Sequence, residues 1–140
     1  MAKKKRASIR RPQPASGKLQ PPDPAPTPGS RRPEFCLRHV VKAFAPSKLE
    51  GRLAKGAFVR MEALAAKSWD ESLARGREHG GTEWIPVNQL KKQIPAGFKH
   101  HGRVMVIRFA GKKGRMSGVR SDRVFHVLWF DASPFKVYGH

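Results

Sequence analysis

Apolar and polar positions separate this chain into three regimes, and the last of them, from Arg103 onward, is strand-like. Val104-Met105-Val106-Ile107-Arg108-Phe109 reads as one strand and Met116-Ser117-Gly118-Val119-Arg120 as a second, joined by the basic turn Gly111-Lys112-Lys113-Gly114-Arg115. Val124-Phe125-His126-Val127-Leu128-Trp129-Phe130 is a third, apolar on both faces except at His126. Such a strand belongs inside a sheet covered on both sides, because solvating either face would expose Phe125, Trp129 or Phe130.

The middle regime has the helical period. Leu49, Leu53, Ala57, Met61 and Leu64 recur every three or four residues, predicting an amphipathic helix of roughly five turns. Ser47-Lys48-Leu49-Glu50 has the spacing of a capping box at its start. Gly51 and Gly56 weaken this helix by roughly 1 kcal/mol each relative to alanine, so it depends on packing. Ser68-Trp69-Asp70-Glu71 repeats the cap signature and opens a short second helix to about Arg77, closed by Gly80-Gly81. Trp84-Ile85-Pro86-Val87 leads into a brief basic helix, Asn88 to Gln93, stopped by Pro95. Ahead of the helices, Phe35-Cys36-Leu37-Arg38-His39-Val40-Val41 has strand composition and ends at Ala45-Pro46. This order predicts an α+β fold: a mainly antiparallel sheet with helices on one face.

Residues 1–33 have neither period. They hold eight of the twelve prolines and nine basic side chains against one acid, Asp23. Proline at that density removes backbone donors and blocks helix, so a disordered basic arm is expected at 1–33, followed by a single domain at 34–140. Lys3, Lys4, Lys5 and Arg6 are positioned to add phosphate contacts, although a plain solubilising extension explains the arm equally well.

Charge sharpens the picture. Lys plus Arg number 29 against 10 acids, a net +19, and the body is basic independently of the arm. Self-repulsion of that size favours a polyanionic partner, and nucleic acid, RNA above all, is the one expected. Between residues 102 and 123, Arg103, Arg108, Lys112, Lys113, Arg115, Arg120 and Arg123 stand against Asp122 alone. Guanidinium forks suit phosphate oxygens better than ammonium groups do. We therefore expect Arg103, Lys112, Lys113, Arg115 and Arg123 to bind nucleic acid. The bland alternative is a solvated turn with ordinary surface charge.

One cysteine, Cys36, excludes an internal disulfide framework and is expected to be a buried, inert thiol in a reducing cytoplasm. His100 and His101 are adjacent, not spaced as metal ligands, so neither a metal nor a cofactor is expected. No apolar run reaches the length of a membrane span, and the basic start lacks the apolar core of a secretory signal. There is no P-loop and no nucleophile elbow, and the acids are too scattered for a two-metal nuclease. Of Trp69, Trp84 and Trp129, which could stack on bases, two occupy positions that read as core.

Proton-transfer candidates remain. His126 in its apolar strand is more simply a hydrogen-bonded core residue; the functional alternative is a general acid or base on a rigid frame. The period-2 rule allows Arg108 to share its face, while Phe135, Val137 and Tyr138 could dock as a final strand and bring Tyr138 and His140 beside the arginines.

In element order, and in the Arg, His and Tyr residues of its last strands, residues 35–140 resemble the RelE/HigB-type toxin fold. Arg108, Arg115, Arg120, Arg123, His126 and Tyr138 match that superfamily in kind, without a strict motif. The resemblance implies a small, metal-independent endoribonuclease acting on RNA at the ribosome and held by an acidic antitoxin. Its catalytic set would be Arg108, Arg120, His126, Tyr138 and His140. The proline-rich arm and the chain inserted between Asn88 and His101 depart from that fold. Two other classes fit the charge: a non-catalytic nucleic-acid-binding or inhibitor protein of a phage or mobile element, and a ribosome-associated structural protein.

Overall fold

A computed structural model describes residues 28–74 and 82–139. Its frame is a five-stranded sheet in the order β1-β5-β4-β3-β2. The strands are β1 (Glu34–Cys36), β2 (Thr82–Pro86), β3 (Arg103–Phe109), β4 (Gly114–Ser121) and β5 (Val124–Ala132). β2 to β5 pair antiparallel, and β1 adds to β5 in parallel. The fold is α+β, as the periodicities predict.

Two helices, α1 (Gly51–Ala65) and α2 (Trp69–Leu73), cover one face. Ala57 and Leu64 of α1 and Trp69 of α2 join Met105, Ile107, Phe109, Met116, Phe125, Val127 and Phe130 in one core. The capping box at Ser68 is present, with Glu71 reaching back to the Ser68 amide. The one expected at Ser47 is not: Pro46–Lys48 forms a 3₁₀ turn, and α1 starts later, with Glu50 as an N-cap that makes no side-chain cap bond. Proline at the first position of that turn sets its local backbone, which takes Ser47 out of register for capping. Gly56 is explained by packing: a β-carbon there would come within 3.0 Å of Ala110, so glycine lets α1 lie close to the β3–β4 turn.

Among the described residues the other face is covered by turns and extended segments. Val104, Val106, Val119, Leu128 and Trp129 meet Ile85, Ile94, Val137 and Tyr138, with Val41, Phe44, Leu90 and Phe98 packed around them. The basic helix expected from Asn88 to Gln93 is a single 3₁₀ turn, Val87–Gln89, after which Leu90 bridges antiparallel to Tyr138. Ile94 and Leu90 are needed on the sheet, and an extended path delivers them there.

β5 lies between β1 and β4 with both faces buried, as its composition requires. The β4–β5 register shifts at Ser117 and Gly118, which leaves Leu128 as an additional residue and turns both Leu128 and Trp129 to the non-helical face. A side chain at Gly118 would overlap the His126 carbonyl, so this close approach requires glycine.

The last residues of the expected arm, 28–33, fall among the described residues and contact the body. Pro28–Ser30 forms a 3₁₀ turn beside α2, Pro33 is buried, and the Trp69 amide donates to the Arg31 carbonyl at 3.1 Å. The strand expected over residues 35–41 shrinks to Glu34–Cys36, and Cys36 is half-buried. The second helix is described to Leu73, and its expected continuation to Arg77 lies outside the described residues.

Candidate nucleic-acid interface

The sheet brings some of the expected site residues together and separates others. Arg108 and Arg115 are direct cross-strand partners on β3 and β4, and Arg115 in turn faces Asp131 on β5. Arg108 Nη2 sits 3.1 Å from Glu83 Oε1 in a half-buried ion pair. Arg115 is only 6% exposed. Its Nη1 donates to the Tyr138 carbonyl at 3.2 Å, and its guanidinium lies 3.6 Å from the centre of the Phe135 ring and 5.0 Å from that of Tyr138. Burial, and after it the neighbouring Arg108, pulls Arg115 below the usual arginine range, opposed by Glu83, Tyr138 and Asp131. Tyr138 does dock beside the arginines, and is itself buried. This group forms an internal network. Arg115 is therefore corrected from a surface contact to a core residue, because its planar group fills the space between Phe135, Tyr138 and the sheet.

His126 shares the face of Arg108 and Arg115 but not their end of it. It pairs with Val119, four residues along β4 from Arg115. At the strand rise that is about 13 Å. Instead His126 joins a ring cluster: its centroid is 6.1 Å from His39 and 5.5 Å from Phe98, with His39 5.1 Å and His101 6.2 Å from Phe98. Desolvation first, then His39 and His101, holds the His126 imidazole below its ordinary value. Burial and His100 do the same to His101. Among the described residues the buried His126 Nδ1 has no hydrogen-bond partner.

Arg120 is on the opposite face. It lies 4.7 Å over the Trp69 ring, and its Nε donates to the Asp122 carbonyl at 2.8 Å. Burial lowers its pKa, while Asp70 and Asp122 act the other way. Arg108, His126 and Tyr138 thus do not converge on one reacting point, and Arg120 cannot join them through the sheet. Lys3, Lys4, Lys5, Arg6 and His140 lie outside the described residues.

The exposed cations are elsewhere. Lys112 and Lys113 stand in the β3–β4 turn, where Ala110 and Gly111 take positive φ angles of 51° and 69°. Beside this turn, Arg52, Lys55 and Arg60 of α1 line a cavity of about 500 Å³ with Ala110. Arg123 pairs with Glu34 at 2.7 Å and, with Arg31 and Arg32, borders a second cavity of about 510 Å³. At the other end of β3, Arg103 lies 4.3 Å over the ring of Trp84, which is 38% exposed. Trp69 and Trp129 are both fully buried.

The strand β2 is not among the elements expected from the sequence, whereas Trp84, the one tryptophan of the three not expected in the core, is indeed the exposed one. The alternation in Thr82-Glu83-Trp84-Ile85-Pro86, with Ile85 buried between exposed Trp84 and Pro86, was the available signal, and Pro86 suits an edge strand.

Among the described residues no three His, Cys, Asp or Glu side chains gather as a metal site, and no helix is long and apolar enough to cross a membrane. Comparison with protein-family models, curated proteins and solved structures finds no match to this chain.

Proposed function

We propose that this protein binds nucleic acid, RNA first among the candidates, as a cytoplasmic binding module. The observation that carries the reading is the division of its cations. Arg108 and Arg115 are held inside with Glu83 and Asp131, whereas Lys112, Lys113, Arg103, Lys91, Lys92 and Lys99 are exposed. The segment from Val87 to Gly102 contains no acid at all. Arg103 opens β3 and Lys112 and Lys113 stand beyond its far end, about 20 Å apart at the strand rise. That span suits a strand of several nucleotides, whose phosphates exchange condensed counterions for lysine and arginine. Acidic protein and ribosomal surfaces would meet the same charges, and a gel-shift series with RNA, DNA and an acidic polypeptide ranks the three. Preference for the polypeptide would displace the nucleic-acid reading.

A metal-independent endoribonuclease of the RelE/HigB kind is the second reading, and the His39–His126 pair favours it. Two imidazoles within 6.1 Å could serve as acid and base around a phosphodiester, without Arg108 or Tyr138. RNA incubated with the purified protein in EDTA decides between the readings: intact RNA leaves the binding module, and cleavage lost in His126→Ala and His39→Ala supports the nuclease.

A further inference from the structure

We infer that Trp84 and Arg103 form a stacking subsite for an unpaired base of single-stranded nucleic acid; this deepens the nucleic-acid reading and rests on it. Among the described residues β2 is an edge strand, paired in the sheet with β3 alone. Trp84 pairs with Met105, whose side chain belongs to the core under the helices, so Trp84 projects from that same face. α1 covers Met105 and Ile107 but leaves Trp84 38% exposed, among the largest apolar side chains left in water among the described residues.

Arg103 holds the indole in place. It is the first residue of β3 and pairs with Pro86, and its guanidinium lies over the Trp84 ring at 4.3 Å. Trp84, Pro86, Gly102 and Arg103 border an open cavity of about 500 Å³. An indole and a guanidinium in layers offer two flat, weakly hydrated surfaces, and bases stack on both kinds. Every base has such a face, so the subsite is sequence-tolerant, but only an unpaired base can present it.

The Val87 amide donates to the Gly102 carbonyl at 3.0 Å, which ties together the chain just after Pro86 and just before Arg103 and so fixes the two sides of the platform. No Asp or Glu lies between Pro86 and Arg103 in sequence to repel a flanking phosphate.

The test uses the full chain with a short fluorescein-labelled oligouridylate and a duplex RNA of equal length. Trp84→Ala is expected to weaken oligouridylate binding roughly 5- to 160-fold, the range of one lost base stack, and to change duplex binding less than about twofold. Trp84→Phe should recover most of the loss, and both variants should melt with the wild type because the side chain lies at an open edge. Undiminished oligouridylate binding by Trp84→Ala, or an equal loss on the duplex, overturns the subsite while leaving nucleic-acid binding intact. A wild-type protein that binds neither RNA at low salt overturns both.

Discussion

Arg115 on β4 and Asp131 on β5 face each other across the sheet, and both are buried. Each serves the segment after β5. Asp131 accepts from the amides of Ala132 at 3.0 Å, Lys136 at 2.8 Å and Val137 at 2.8 Å, while Arg115 donates to the Tyr138 carbonyl and stacks on Phe135. A cation expected on the surface and a buried anion together fold the last turn back over the sheet.

Asp131→Ala should therefore destabilise the protein by about 3 kcal/mol, since it strands buried amide donors. Thermal unfolding followed by circular dichroism should show a drop of roughly 10 °C in melting temperature. Asp131→Asn, which keeps an acceptor oxygen, should lose less.

Arg115→Ala should lower the melting temperature while leaving the affinity of the folded protein for RNA unchanged. Arg115→Lys should not restore it, because an ammonium cannot fill the planar slot against Phe135. Fluorescence anisotropy below the melting transition separates the two effects. A large loss of affinity with no change in melting would return Arg115 to the binding surface.

The fates of these charges show what the sequence carried. The three C-terminal strands, the covered position of β5 and the cap at Ser68 were legible because each rests on a local pattern. The parallel pairing of β1 was not, because it depends on a partner distant in sequence; nor was β2, whose alternation spans only five residues and ends in a proline. The site was read less well for the reason that applies to β1. Arg108, Arg115, Lys112 and Lys113 are alike in sequence, and only the register that sets Arg108 opposite Arg115, near Glu83, separates internal from solvent-facing cations. Likewise, His126 meets His39 and His101 through tertiary packing alone.

That cluster gives a pH dependence. His126 and His101 are both held below the ordinary value of 6.5, so the folded chain binds fewer protons than the unfolded one wherever the two differ. Stability should be complete above pH 6.5 and fall as pH drops through it toward the depressed folded values. Urea midpoints across that interval measure this, and His126→Gln should make the fall shallower. A stability that rises on acidification would contradict the assignment.

Lys112→Ala with Lys113→Ala should weaken RNA binding with a stability change of about 0.5 kcal/mol or less, because both residues stand exposed in the turn. If both touch phosphates of a single strand, the slope of log K against log salt should become shallower by about 1.4. Equal slopes for wild type and variant would remove the turn from the interface.

Binding of the full chain to single-stranded RNA, titrated across a salt series, tests the central claim most directly. Affinity should fall linearly on the double-logarithmic plot, with a slope reporting several phosphate contacts. Absence of binding at low salt, or an affinity independent of salt, would contradict it.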